Sequence, residues 1–227
     1  GKEPSYFKLI ELAEKYPGEI NLLLLGPLTN IAIAYNIHPR VSTLFKSIYM
    51  MGGCAFCKGN ISPTAEFNYY LDFVATKAVL THFKNIIIVP WEPTEALNYD
   101  TSHMEQIKKK FEQDKKRESP IFEYVAMIVE KYTKDKGGIS FCDLYSIMPA
   151  YNKKSVKKFV VAKVDIAIDS HRSNGMSVIT ERKVVKKDFN TFLAEDWSAY
   201  QKDNYHIIIE EMVREEVDKE YESIFTH

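Results

Sequence analysis

Three short, strongly apolar segments alternate with segments of helical periodicity, and this alternation constrains the fold more than any other feature. The apolar runs are residues 20–25, 47–51 and 86–89, and apolar side chains recur at helical spacing over 28–35 and 72–82. Apolar runs of this length are typical of buried strands in a parallel sheet. We therefore predict an α/β fold, with a mostly parallel sheet flanked by helices and ligands bound at the carboxyl ends of the strands.

The second half of the chain follows a different pattern. Its segments predict, in order, a polar helix over 102–117, a more apolar helix from Pro120 to Gly137, a helix over 143–151, and a strand over 159–168. Asn174-Gly175 then predicts a turn into a strand over 177–181. We expect a small antiparallel hairpin near the carboxy terminus, before a strand at 205–209 and a charged terminal helix.

Length and charge narrow the class of ligand. The 227 residues carry a net charge of −1, and no apolar run approaches the roughly 20 residues needed to span a bilayer. We expect a single domain over residues 1–227 that binds a small molecule rather than nucleic acid or a membrane surface. The segment at Gly1 has no apolar signal core, so a cytoplasmic location is the default expectation, and secretion stays open.

A polar loop between the second and third apolar runs carries the most informative side chains. Asn60, Glu66 and Asn68 place amide donors, amide acceptors and a carboxylate within nine residues. Sugar hydroxyls require such a mixture of hydrogen-bonding groups. Asn and Glu also cap turns, so the loop alone leaves both interpretations open.

Taken together, the motifs of this half carry a specific resemblance. Their order is Gly26-Pro27-Leu28-Thr29-Asn30, Met51-Gly52-Gly53, Gly59-Asn60, then Ala65-Glu66-Phe67-Asn68 with Asp72 four residues later. This series resembles the inosine–uridine-preferring nucleoside hydrolase family. The resemblance implies a nucleoside hydrolase fold with a Rossmann-like sheet, and hydrolysis of the N-glycosidic bond of ribonucleosides to ribose and a free base. It also implies that Asn60, Glu66 and Asn68 hold the ribose, that Phe67 stands near the ring or base, and that Met51 lines the pocket.

The same resemblance implies a calcium ion and three further site residues. Leu25 matches a position that binds calcium through its backbone carbonyl, and Asp143 matches the carboxy-terminal aspartate ligand. A helix cap for the residues after it is the alternative role for Asp143. Cys142 stands where many members carry a histidine, the proposed acid for the leaving base, and a thiol is a poorer acid.

One departure from the family pattern is large. The aspartate motif of the type DxDxxxDD, which supplies most calcium ligands in the family, is absent from this chain. The chain therefore resembles the carboxy-terminal two-thirds of the family fold, and we expect a truncated nucleoside hydrolase fold that is incomplete at its amino terminus. We expect weak or no calcium binding by this chain alone, an exposed sheet edge, and low stability or self-association into homo-oligomers. A catalytically silent homologue that acts as a binding or assembly partner is the alternative function.

A third hypothesis concerns Cys54 and Cys57, whose spacing is that of a redox or zinc half-motif. No second cysteine pair completes a zinc site, so a plain surface loop is the favoured interpretation.

Overall fold

A computed structural model describes residues 3–55, 59–113 and 119–225 of the chain. One mixed sheet organises them. Its strands are β1 (Asn21–Leu24), β2 (Ser47–Met51), β3 (Ile86–Val89), β4 (Val156–Ile166), β5 (Ser177–Val184) and β6 (His206–Met212). The helices around it are α1 (Ser5–Lys15), α2 (Thr29–Ile37), α3 (Phe67–Leu71), α4 (Phe73–His82), α5 (Trp91–Glu95), α6 (Thr101–Gln113), α7 (Pro120–Lys136), α8 (Cys142–Tyr151), α9 (Phe189–Glu195), α10 (Trp197–Gln201) and α11 (Arg214–Ile224). Short 3-10 helices cover Pro39–Thr43 and Lys153–Ser155.

The sheet order is β1-β2-β3-β6-β4-β5. Strands β1, β2, β3 and β6 are parallel, whereas β4 runs antiparallel to both β5 and β6. The predicted mostly parallel α/β sheet with an antiparallel hairpin is therefore confirmed. The hairpin is part of the same sheet, because the last strand, β6, lies between it and the parallel strands.

Side chains of the central strands alternate between two buried faces. Ile48 and Ile88 belong to a core with α1, α2 and α4, whereas Tyr49 and Ile87 belong to a core with α6, α7, α8 and the carboxy-terminal helices. Helices on both faces explain the continuous apolar runs, since a strand buried on both sides needs no polar alternation. The helices on the two faces do not cover the carboxyl ends of β2 and β3, so the loops that follow these strands can lie there.

Several sequence-based boundaries change. The helix predicted over 102–117 begins at Thr101 and is described to Gln113, and residues 114–118 lie outside the described part. The helix predicted to start at Asp143 starts at Cys142 instead, with Phe141 as its N-cap. In the described residues no helix is long and apolar enough to cross a bilayer.

Candidate active site

The turn after β2 forms the floor of the candidate site. Gly52 N–H donates to the carbonyl of Val89 at 3.3 Å, and Trp91 N–H donates to the carbonyl of Gly53 at 2.9 Å. The ring of Tyr69, which is buried, lies directly against both glycines. A Cβ at Gly52 would lie 2.3 Å from Tyr69 Cε1, so a side chain there would displace the ring. The Met-Gly-Gly sequence is thus required by the close approach of an aromatic ring from α3.

Residues 59–70, the ribose loop, fold tightly on themselves before α3 begins. Ser62 Oγ accepts from Ala65 N–H at 3.0 Å, and Asn60 Oδ1 accepts from Phe67 N–H at 2.9 Å. A Cβ at Gly59 would lie 2.0 Å from the carbonyl oxygen of Ala65. Asn60 therefore stands at the loop surface with its oxygen holding the start of α3. Phe67, the first residue of α3, is exposed beside it.

Glu66 joins the ribose loop to the turn after β2. Its carboxylate is buried and accepts three backbone N–H groups: Asn68 at 2.8 Å, Gly53 at 3.0 Å and Tyr69 at 3.2 Å. The capping role that the sequence left open is therefore real, since Glu66 is the N-cap of α3. Burial raises the pKa of Glu66, the three backbone donors oppose that rise, and the charge of Asp143 adds to it. Asp143 therefore lies close enough for its charge to affect the pKa of Glu66, whereas burial alone raises the pKa of Asp143.

Asn68 is buried beside Glu66 and faces the end of β2. Its Nδ2 donates to the carbonyl of Met51 at 3.3 Å and lies 3.2 Å from Met51 Sδ. Leu25 follows β1, the neighbouring parallel strand, in which Leu24 pairs with Met50. Leu25 and Met51 consequently lie at the same edge of the sheet.

Helix α8 packs against β2, and Asp143 in its first turn is close enough for its charge to act on Glu66. The carboxylate is accessible to solvent, and partial burial raises the pKa of Asp143. The helix-cap alternative for Asp143 is wrong, because Phe141 is the N-cap and Asp143 lies within the first turn. A carboxylate in that turn is still favoured by the helix dipole.

Cys142 precedes Asp143 and turns its thiol toward the backbone. Its Sγ donates to the carbonyl of Ser140 at 3.6 Å, and Ser140 Oγ donates to the carbonyl of Thr94 at 2.7 Å. Burial raises the pKa of the Cys142 thiol, and the charge of Asp143 raises it further. The thiol is therefore protonated at neutral pH.

Calcium does not fit the residues that the structure describes. Among residues 3–55, 59–113 and 119–225, no group of three or more His, Cys, Asp or Glu side chains could hold a metal ion. Asp143 with a backbone carbonyl at Leu25 falls well short of the six to eight oxygens that calcium takes.

The expectation of a plain surface loop at the cysteine pair is wrong for Cys54. Its side chain is buried, because the turn after β2 folds against Tyr69. Cys57 lies outside the described residues, so the redox or zinc hypothesis stays a prediction.

The sequence patterns did not predict a role for Tyr69, and they predicted the turn of the β4–β5 hairpin without its contact with the site. The ring of Tyr69 packs against the glycine turn after β2. In the hairpin, a Cβ on Gly175 would lie 2.9 Å from Tyr70 Cα. The signal in the sequence was Gly52-Gly53 at one turn and Gly175 at the other, and glycine indicates a close approach without identifying the partner. Asp72 caps α4 by accepting from Ala75 N–H at 2.9 Å, and it also accepts from Thr29.

Comparison with known proteins decides the family. The model of the inosine-uridine preferring nucleoside hydrolase family matches residues 2–207. The chain belongs to this family. Uridine nucleosidase 1 of Arabidopsis thaliana is 42% identical over 81 residues, which are 36% of this chain and 24% of that protein. The pyrimidine-specific ribonucleoside hydrolase RihB of Escherichia coli O1:K1 / APEC is 42% identical over 64 residues, 28% of this chain and 20% of that protein.

Solved nucleoside hydrolases share the fold. The plant nucleoside hydrolase PpNRh1 superposes with a TM-score of 0.76 at 21% identity, over 98% of this chain and 66% of that one. The inosine-uridine preferring nucleoside hydrolase of Bacillus anthracis gives a TM-score of 0.73 at 18% identity, over 99% and 65%. The chain thus spans about two-thirds of these solved structures, and its matched stretch spans about a quarter of Uridine nucleosidase 1.

Proposed function

We propose that this nucleoside hydrolase family chain supplies the ribose-binding part of an N-ribohydrolase site. The complete site cleaves the N-glycosidic bond of purine or pyrimidine ribonucleosides to ribose and free base. The observation that carries the proposal is the junction at the end of β2, where Met51, Glu66 and Asn68 are hydrogen-bonded together within electrostatic range of Asp143. Family membership and the names of the relatives support the same reaction.

Cleavage of the N-glycosidic bond requires groups of the kind that Glu66 and Asn68 provide. Cleavage of a nucleoside passes through an oxocarbenium-like state, in which positive charge appears on the sugar. The Glu66 carboxylate and the Asn68 amide are fixed by backbone contacts before substrate binds. Fixed charges and dipoles of this kind stabilise the transition state more than the ground state, because they need no reorganisation.

The other candidate site residues contact the sugar or the base in this proposal. Asn60 binds a ribose hydroxyl through its amide nitrogen, since its oxygen already accepts from Phe67 N–H. The exposed ring of Phe67 stands near the sugar or base, and Met51 lines the pocket. Cys142 retains its proton and serves as a weak acid toward the leaving base.

Calcium would bind only to a site that has further oxygen ligands besides those of this chain's described residues. Leu25 through its carbonyl, and Asp143, are the two ligands that this chain would offer, and the remaining oxygens are not among its described residues. The described residues alone therefore position sugar but do not activate water through a metal.

A silent homologue that serves as a binding or assembly partner is the second candidate, and the absence of the DxDxxxDD aspartate motif from the sequence favours it. Two measurements on the 227-residue chain with calcium present separate the two: incubation with uridine and with inosine, and calorimetric titration with D-ribose. Reducing sugar and free base released in equal amounts support the hydrolase. Ribose binding without base release supports the silent partner, and the absence of both contradicts the proposed site.

A further inference from the structure

The turn of the β4–β5 hairpin, residues 167–176, packs against the ribose loop although the two are about a hundred residues apart in sequence. The turn is itself well held. Gly175 N–H donates to the carbonyl of Ala167 at 2.9 Å, Ala167 N–H donates to that of Met176 at 3.0 Å, and Asn174 Oδ1 accepts from Ser170 N–H at 3.2 Å. The hairpin turn therefore presents a fixed surface to its neighbour.

Contacts with this surface flank Glu66 on both sides. Thr64 Oγ1 donates to the carbonyl of Arg172 at 3.1 Å. Gly175 adopts φ +82°, and a Cβ on it would lie 2.9 Å from Tyr70 Cα and 3.0 Å from Tyr70 N. The ribose loop thus contacts the hairpin on both sides of Glu66 and Asn68, through the side chain of Thr64 and the backbone of Tyr70.

A third contact joins the hairpin to the floor of the site. A Cβ on Gly53 would lie 2.8 Å from Ser177 Oγ, at the start of β5. Lys77 of α4 also forms an ion pair with Asp165 of β4 at 2.8 Å, so the helix after the ribose loop is attached to the same hairpin. The hairpin, the floor and the ribose loop consequently meet at one place.

We propose that the hairpin turn is a positioning element for sugar recognition, and that Gly175 and Thr64 are its positioning residues. The turn sets where Glu66 and Asn68 stand relative to Met51, so that a displaced turn moves the sugar-binding groups together. Displacements of about 1 Å are enough to reduce the function of such sites by up to about a hundred-fold. This inference rests on the proposed ribose-binding function.

Gly175→Ala tests the first contact, with Gly18→Ala as its matched control. Both glycines have positive φ, +82° and +75°, so both alanines impose the same left-handed strain. Only Gly175 has a backbone neighbour in the way, since nothing lies within 4 Å of a Cβ on Gly18. A difference between the two variants therefore reports displacement of the ribose loop.

Thr64→Val tests the second contact, with Thr43→Val as its control. Thr43 Oγ1 also donates to a backbone carbonyl, that of Arg40 at 3.0 Å, but it lies in the 3-10 helix Pro39–Thr43. Neither substitution changes a group to which sugar binding is assigned.

Two readouts are measured on the full 227-residue chain. Amide hydrogen exchange at Asn68 and Tyr69, whose N–H groups Glu66 accepts, is expected to accelerate in Gly175→Ala and Thr64→Val but not in the controls. Calorimetric titration with D-ribose is expected to show a dissociation constant about ten-fold higher in Gly175→Ala than in Gly18→Ala.

Unchanged exchange in both test variants overturns the inference, and so does unchanged ribose affinity in Gly175→Ala when the unmodified chain binds ribose. If the unmodified chain binds no ribose, the proposed function fails. The exchange result alone then decides whether the hairpin positions the loop.

Discussion

At the scale of single residues, Glu66 links the fold to the candidate chemistry. Its buried carboxylate accepts three backbone N–H groups that come from two separate segments of the chain. A glutamine in its place has one oxygen and one NH2 group. At least one of the three donors would then face another donor and lose its bond.

Glu66→Gln is expected to lower the free energy of unfolding by about 1–3 kcal/mol, which is the cost of an unsatisfied buried donor. Urea denaturation followed by circular dichroism measures the change. Asp188→Asn is the matched control, because the exposed Asp188 caps α9 and asparagine caps a helix equally well. A Glu66→Gln chain as stable as Asp188→Asn would contradict the assigned geometry.

His206 sets a pH dependence away from the site. Its ring is fully buried, with Nε2 2.9 Å from the carbonyl oxygen of Leu80, and burial lowers the pKa of His206 from 6.5 to about 4. Between these pH values the unfolded chain binds more protons than the folded chain. Stability is therefore present above pH 6.5 and is lost as the pH falls toward 4.

The loss through His206 amounts to about 3 kcal/mol at 1.36 kcal/mol per pKa unit. Denaturation midpoints between pH 7 and pH 4 are expected to fall less steeply in His206→Gln, which keeps a donor for the Leu80 carbonyl. His171→Gln, at an exposed position, is the control and should keep the original slope. Equal slopes in His206→Gln and the original chain would show that His206 does not titrate in this way.

The sequence indicated the right side chains at the site but not their partners. The mixture of Asn60, Glu66 and Asn68 is suited to hydrogen bonding with a sugar, local capping was the other interpretation of the loop, and the family resemblance favoured the sugar. That Glu66 also accepts from Gly53, thirteen residues away, is a tertiary contact that no local pattern contains. The roles of these side chains toward ribose stay predictions.

At the scale of elements, the buried strands were the most predictable parts. The predicted strands 47–51 and 86–89 match β2 and β3, because burial on both faces makes the apolar run as long as the strand. Helices α3 and α5 were not predicted, since each has five residues and no apolar periodicity at that length. The position of β6 between β3 and β4 depends on pairing with strands that are distant in the sequence, so the sequence of β6 alone does not predict it.

The two turns after β1 and β2 offer a test of how closely the elements pack. Gly52→Ala is expected to destabilise the fold by about 1–3 kcal/mol, because its Cβ would lie 2.3 Å from the Tyr69 ring. Gly26→Ala, at the corresponding turn after β1, meets nothing within 4 Å and is expected to be nearly neutral. Thermal denaturation of both variants measures the difference, and equal melting temperatures would exclude close packing of Tyr69 beneath the turn.

At the scale of the whole molecule, the two edges of the described sheet differ. Edge strand β1 exposes Leu23, and Leu25 beyond its end is also exposed, at 41% and 39%. Edge strand β5 carries Glu181, Arg182 and Lys183, which protect an edge from pairing with another chain. We expect the 227-residue chain to self-associate through β1, and we propose that both cores, sharing one sheet, form a single domain.

Leu23→Lys is expected to shift the chain toward monomer, because a charged side chain on an edge strand opposes strand pairing. Sedimentation velocity over a range of concentrations measures the distribution. Val184→Lys, an exposed position on β5, is the control and should leave the distribution unchanged. A chain that is monomeric without substitution would contradict the expectation.

The central claim is that the carboxyl edge of β2 binds ribose with Glu66, Asn68 and Asp143. Titration of the isotopically labelled 227-residue chain with D-ribose, followed by amide chemical shifts, tests it most directly. Saturable changes in amide chemical shift are expected at residues 51–53, 59–70 and 142–144. Shifts confined to the cavity between α6 and α7, lined by Met104, Phe122 and Met127, or no saturable shifts at all, would contradict it.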